Sequence, residues 1–250
     1  MIKSVKILNV RIQNCTFNIL LKCLEKGVLI TPNIDHLVKL QYDRDFYNIY
    51  QKADWVVCDS KILYLTSKLL KHSLREVIPG SSFFTAFYQY HKDDFNCKIF
   101  LLGGMDGVAL QAMECINKNV GRKIIVGAMS PSLGFEKKQK ENELIYKIIN
   151  DSGANVVVVG VGAPKQEKWI FDHKEKMSNV DIWMALGATI DFEAGKVKRA
   201  PLIYQKLAME WFYRFIKEPK RMFRRYFIDD IKFFGFLGRQ LMGCYQNPFE

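Results

Sequence analysis

The stretch that most constrains this chain is residues 155–170, Asn-Val-Val-Val-Val-Gly-Val-Gly-Ala-Pro-Lys-Gln-Glu-Lys-Trp-Ile. Four consecutive β-branched residues, Val156 to Val159, suit a strand buried on both faces, as strands are in a parallel sheet. Gly160 and Gly162 break the run and let the backbone turn tightly or approach a ligand. Pro164 fits the first position of a helix, where its missing N–H costs nothing. Free N–H groups at such a helix start attract anions, and Lys165, Gln166 and Glu167 stand in its first turn. Polar groups thus converge where a strand ends and a helix begins, which is where open α/β sheets bind ligands. The plainer reading is an ordinary βα turn with a solvated first turn.

The same alternation runs through the first 190 residues. Short apolar strands are expected at residues 5–10, 28–30, 55–58, 98–102, 123–126 and 181–185. Between them, helical spacing is expected at 17–24 (capped by Thr16, ended by Gly27), 34–48, 62–70, from Ser81 or Ser82 to Tyr90, 108–116 and 137–150. Strands alternating with helices predict an α/β fold, a Rossmann-like, doubly wound, mostly parallel sheet. After Pro201 the character changes. Residues 202–245 read as helical, aromatic and basic, with no strand signal and a helix break at Pro219. Between Lys206 and Arg239 nine basic residues face four acidic ones, a local +5 within the chain's net +11. The expected organisation is therefore an α/β core over residues 1–201 and a helical C-terminal appendage over 202–250.

A net charge of +11 suggests an anionic partner: nucleic acid, an anionic membrane surface or a phosphorylated substrate. The six cysteines form no Cys-x-x-Cys pair and read as reduced, mostly buried thiols of a cytoplasmic protein. Four scattered histidines give no metal-ligand signature, so no metal site is expected. Residues 1–10 lack the apolar core of a signal peptide. No apolar run approaches the ~20 residues that span a bilayer.

In a parallel sheet the strand ends share one edge, so residues far apart in sequence meet there. Asp59, just past an apolar strand, is placed as a general base whose pKa partial burial would raise, or as the N-cap of the next helix. Thr31 and Asn33 could bond a substrate hydroxyl or cap a helix. Gly103 and Gly104, with Gly107, could cradle a phosphate or form a plain tight turn. Gly187 and Asp191 mark a fifth strand end. Arg199 reads as structural unless it meets a phosphate.

Five segments together resemble the WecG/TagA/CpsF family of bacterial glycosyltransferases (glycosyltransferase family 26). They are Thr31-Pro32-Asn33, the Asp59 strand end, Gly160 to Glu167, Gly187 to Pro201, and Glu210-Trp211 through Arg224-Arg225-Tyr226. The resemblance implies inverting transfer of a hexose or N-acetylhexosamine-type sugar from a UDP-sugar to a polyprenyl-diphosphate-linked sugar at the inner face of the cell membrane. It serves surface polysaccharide or teichoic acid biosynthesis. It implies no cofactor beyond the UDP-sugar donor and no metal. The family's base falls on Asp59. Thr31, Asn33 and Gln166 line the same pocket, with Gly162, Pro164, Lys165, Glu167, Gly103, Gly104, Asp191 and Arg199 as further substrate contacts. The appendage arginines fall on Arg214, Arg221, Arg224 and Arg225. Three positions depart from the family's usual pattern: Ser60 follows the base in place of glycine, Val77 stands where an arginine is usual, and Ser82 replaces an acid.

A lipid-linked acceptor stays in the bilayer, so the enzyme must come to it. The basic, aromatic appendage suits that, at about 1 kcal/mol per basic residue near anionic lipid, and a homo-oligomer is compatible with it. Two other classes compete. A nicotinamide-dependent oxidoreductase would use the strand–glycine–helix units, but neither offers a full Gly-x-Gly-x-x-Gly followed by an acid about 20 residues on. A nucleic-acid-binding module would use the basic tail. With the resemblance in hand, no nucleic-acid partner is expected.

Overall fold

The structure is a computed structural model, and it describes residues 2–196 and 228–250 together with Pro219 and Phe223. Its first unit is an antiparallel hairpin of β1 (Ser4–Ile7) and β2 (Val10–Gln13), with Ile7 opposite Val10. One strand is expected over residues 5–10, and the chain instead reverses at Leu8 and Asn9. The turn is held from far away. Leu8 is buried at φ 53° and its N–H donates to Gln240 Oε1 at 2.9 Å, while Asn9 Nδ2 donates to the Leu40 carbonyl at 2.7 Å. Nothing in the local sequence pattern carries those partners.

Six strands form the central sheet: β3 (Gly27–Ile30), β4 (Trp55–Val56), β5 (Ile99–Gly103), β6 (Ile125–Met129), β7 (Val156–Gly160) and β8 (Ile182–Ala185). Their order is β4-β3-β8-β7-β5-β6 and every pairing is parallel. Helix α1 (Phe17–Cys23) precedes β3, with Thr16 Oγ1 capping it at the Ile19 N–H. The crossovers carry α2 (Ile34–Lys39), α3 (Arg44–Lys52), α4 (Lys61–Leu69), α5 (Gly80–Tyr90), α6 (Val108–Val120), α7 (Gln139–Ser152) and α8 (Lys165–His173), and α9 (Thr189–Glu193) follows β8. The helix expected over 34–48 is two helices. The first ends at Lys39 and Asp43 starts the second, its Oδ1 accepting the Phe46 N–H at 3.0 Å. An acceptor three residues before its donor outcompetes continuation of the helix.

The valine run divides between the two faces as period-two geometry requires. Val157 and Val159 join Ile145, Ile149 and Trp169 in one buried cluster, while Val156 and Val158 join Phe87, Ala109, Ala112 and Ile116 in the other. Helices therefore cover both faces, which makes the fold doubly wound and Rossmann-like. The chain leaves β5 for β6 in one direction and β7 for β8 in the other. Such a reversal opens a crevice at the strands' C-terminal edge.

The C-terminal helix (Lys232–Leu241) packs on α2 and places Phe233 and Leu237 in the core. The residues after it continue the contact. Tyr245 OH donates to Gln41 Oε1 at 2.6 Å and Asn247 Nδ2 to Tyr47 OH at 2.9 Å. Among the described residues no helix is long and apolar enough to cross a membrane.

Candidate active site

Three glycines floor the crevice. A Cβ on Gly103 (φ 149°) would lie 2.4 Å from the Gly160 carbonyl oxygen, and one on Gly160 would lie 2.6 Å from that of Gly187. The ends of β5, β7 and β8 thus touch backbone to backbone, which only residues without a Cβ allow. The Gly104 N–H donates to the Gly160 carbonyl at 3.2 Å, so that donor is spent on the fold. Ser130, a residue the sequence pattern leaves in a loop, fastens this corner. Its hydroxyl donates to the Gly103 carbonyl at 3.1 Å and accepts the Ala109 N–H at 3.4 Å.

Asp59 lies at the end of β4, and its Oδ1 accepts the Gly80 N–H at 2.8 Å. The N-cap of α4 is Ser60, so Asp59 does not cap that helix; its carboxylate reaches across to the first residue of α5. Helix α5 begins at Gly80 rather than at Ser81 or Ser82. A Cβ there would sit 2.9 Å from Leu186 Cδ2 and 3.1 Å from Thr31 Oγ1. Glycine lets α5 start against the ends of β3 and β8. Thr31 is buried at this junction. Asn33 caps α2, its Oδ1 accepting the His36 N–H at 3.3 Å.

The motif after β7 is built inward. Pro164 occupies the N-cap and α8 starts one residue later than its sequence suggests. The Gln166 side chain is buried: its Oε1 accepts the N–H of Gly162 at 3.2 Å and of Gly187 at 3.0 Å, and its Nε2 donates to Glu167 Oε1 at 2.8 Å. Gln166 thereby ties the β7 loop to the β8 loop. Glu167 is also fully buried, and burial pushes its carboxyl up to about 7 against the pull of Gln166, its own backbone N–H and Lys39. Lys165 points the other way, 3.5 Å from Glu136 of the β6–α7 loop.

Behind these residues, Tyr50 OH meets His36 Nδ1 at 2.7 Å. Burial, with the charges of Glu167, Asp35 and Asp59, drives the Tyr50 hydroxyl well above its usual range. Lys39 Nζ donates to Asp35 Oδ2 at 2.7 Å and to the Ala163 carbonyl at 3.1 Å, pinning α2 to the loop before α8. A cleft of about 630 Å³ opens beside α2, with Asp35, Lys39, Tyr42, Asp43, Arg44 and Lys232 among its walls.

Asp191 lies in α9, which Glu193 fastens to α5 by accepting from Thr85 Oγ1 at 2.6 Å and Tyr88 OH at 3.0 Å. The structure thus gathers Asp59, Thr31, Gly162, Gln166 and Glu167 around the ends of β3, β4, β7 and β8. Gly103 and Gly104 stand at the neighbouring end of β5. Arg199, Arg214, Arg221, Arg224 and Arg225 lie outside the described residues. Among the described residues no three His, Cys, Asp or Glu side chains gather as a metal site. The six cysteines are free thiols. Cys15, Cys58 and Cys97 are buried, whereas Cys23, Cys115 and Cys244 are exposed where mostly buried thiols were expected.

A doubly wound sheet with an acid and a glycine-floored crevice at its C-terminal edge has the architecture of a ligand-binding α/β enzyme, with its site at the strand ends. Residues 5–247 match the Glycosyl transferase WecG/TagA/CpsF family, and the chain belongs to it. The protein is therefore a glycosyltransferase of cell-surface polysaccharide biosynthesis, a family that joins sugar-nucleotide donors to lipid-linked acceptors.

Proposed function

We propose that the protein transfers a hexose or N-acetylhexosamine-type sugar from a UDP-sugar to a polyprenyl-diphosphate-linked sugar, with inversion and with Asp59 as general base. The observation that carries this is one continuous patch. Asp59 bonds Gly80, Gly80 abuts Thr31 and Leu186, and Gly187 bonds Gln166. In the reaction an acceptor hydroxyl attacks the anomeric carbon as its proton passes to the Asp59 carboxylate. The bond from that carbon to the phosphate oxygen breaks, and UDP leaves with the electron pair. Attack from the face opposite the departing phosphate inverts the centre.

Negative charge grows on the departing diphosphate and has to be met by positive groups. The start of α8 brings the positive end of its helix dipole to this edge, while Lys165 is engaged with Glu136. Arg199 and the arginines at 214, 221, 224 and 225 are assigned the same task. The cleft beside α2 has the volume of a small-molecule site, about 300–1,000 Å³, and gives a second substrate room next to the 163 loop. The protein is assigned to the inner face of the cell membrane, where the basic C-terminal stretch meets anionic lipid.

The deciding experiment offers a panel of UDP-sugars and a short-chain lipid-diphosphate-linked sugar to the purified protein, read by mass spectrometry. One UDP-sugar giving a mass gain of one sugar residue on the acceptor supports the reading. No gain with any donor, in the presence or absence of Mg²⁺ and Mn²⁺, overturns it. Turnover that persists in EDTA supports metal independence, and its complete loss, restored by added Mg²⁺, refutes that part.

A further inference from the structure

Under the crevice lies a buried polar pair to which the transfer chemistry gives no task. Glu167 is fully buried, and its Oε2 has no hydrogen-bond partner among the described residues. Its Oε1 accepts from Gln166 Nε2 at 2.8 Å, and Gln166 Oε1 accepts the Gly162 and Gly187 N–H groups. An amide carries an acceptor on one side and donors on the other. Turned about, Gln166 would set its own N–H against the N–H of both glycines and its oxygen against a carboxyl oxygen. Glu167 rewards the one orientation that clasps the two loops.

We infer that Glu167 is a positioning residue: through the Gln166 amide it holds the Gly162 and Gly187 loops at the separation that seats the donor beside Asp59. The inference rests on the transferase reading of the crevice. The charged groups that act on Glu167 are Lys39 and Asp35 from α2, and Tyr50 of α3, bonded to His36, lies within reach of its charge. Asp35 disfavours one more charge here and Lys39 favours it, and burial outweighs both, holding the Glu167 carboxyl at about 7. Below that pH the carboxyl is neutral and still accepts from Gln166. Above it a charge is cut off from water and lies near Asp35, which favours opening of the clasp.

The test uses the full chain and two variants, Glu167→Ala and Glu167→Gln. Amide hydrogen exchange at Gly162 and Gly187 reads the clasp without any substrate. Turnover reads its use. Glu167→Ala is expected to raise exchange at both amides at least about tenfold and to lower kcat by about 10²-fold, the penalty of a small misplacement of reacting groups, with little change in KM. Glu167→Gln keeps an acceptor and never ionises. It should retain slow exchange and near wild-type kcat at pH 6, and should lack the decline in rate that is expected of the wild type above about pH 7. Unchanged exchange in Glu167→Ala overturns the inference. So does raised exchange with unchanged kcat, or a Glu167→Gln pH profile that matches the wild type. A wild-type protein that transfers no sugar sinks the transferase reading instead, and the exchange measurement then judges the clasp by itself.

Discussion

Asp59 Oδ1 accepts the Gly80 N–H at 2.8 Å, so the end of β4 and the first residue of α5 are joined directly. The bond fixes the carboxylate at the crevice edge, beside the point where α5 abuts Thr31 and Leu186. A base needs that kind of restraint, because proton transfer demands hydrogen-bond reach in a set geometry.

Asp59→Asn tests the base. The amide oxygen still accepts the Gly80 N–H, so the fold and UDP-sugar binding are expected to be unchanged. Turnover should fall by about 10²–10⁴-fold, the usual contribution of a general base. Turnover within a few-fold of wild type at saturating donor and acceptor would remove Asp59 from the role.

Gln166→Ala tests a residue that the sequence places among substrate contacts and the structure places between two loops. Removing its oxygen strands the N–H groups of Gly162 and Gly187. A buried donor without a partner costs about 1–3 kcal/mol. The melting temperature and kcat/KM should therefore fall together. A loss of kcat/KM with an unmoved melting transition would show that the side chain serves the substrate alone.

Gly103→Ala tests the glycine floor. Its added methyl would meet the Gly160 carbonyl oxygen, a backbone atom, at a φ of 149° that residues with a Cβ rarely adopt. Overpacking costs about 1–3 kcal/mol, and the backbone strain adds to it. Denaturant titration should show that loss. Gly107→Ala is the contrast: it also has positive φ, but a Cβ there has nothing within 4 Å. Gly103→Ala should be the more destabilised of the two.

The strands and their glycine ends were legible in the sequence because β-branched runs and glycine breaks are local signals. Val156 to Val159, Gly160, Gly103 and the Asp59 strand end all stand where that pattern puts them. The hairpin at Leu8 was not legible, because its partner Gln240 lies 232 residues away. The break at Asp43 was obscured by continuous helical spacing on either side of a capping aspartate. Gln166 was recognisable as a site residue, but its inward direction depends on the Gly187 N–H, which belongs to another strand. Ser130 left no signal beyond a loop of small residues.

Glu167 makes stability depend on pH in a direction opposite to most carboxylates. Its folded pKa, about 7, stands above the unfolded value of 4.5, so between those pH values the folded state binds more protons than the unfolded one. Stability then falls as pH rises from about 4.5 to about 7. The loss is on the order of 3 kcal/mol, from about 1.4 kcal/mol per pH unit. Comparing wild type with Glu167→Gln in urea at pH 5 and pH 8 cancels the other titrating groups. The variant should gain on the wild type as pH rises. A difference that does not change with pH would show that Glu167 does not titrate in this range.

Phe233 and Phe234 divide the C-terminal helix between two tasks. Phe233 is fully buried against the core, whereas Phe234 is 54% exposed. The exposed side also carries Ile231, Leu241 and Met242, and Lys232 Nζ lies 5.7 Å above the Tyr42 ring. A row of apolar side chains with Lys232 and Arg239 exposed on the same helix suits the boundary between headgroups and acyl chains. Phe233→Ser removes a core aromatic, a change that costs about 3–5 kcal/mol when Phe is cut to Ala, so it should lower the melting temperature and harm transfer to any acceptor. Phe234→Ser removes a half-exposed ring whose inner edge meets the Phe233 ring at 5.6 Å between centroids, so it should lower the melting temperature far less than Phe233→Ser does. Its effect should appear only with acceptor in anionic vesicles, as weaker vesicle sedimentation and slower transfer, while a short water-soluble acceptor is used at the wild-type rate. Equal rates on both acceptors would show that Phe234 does not enter the bilayer and that membrane contact, if the protein makes any, lies elsewhere on its surface.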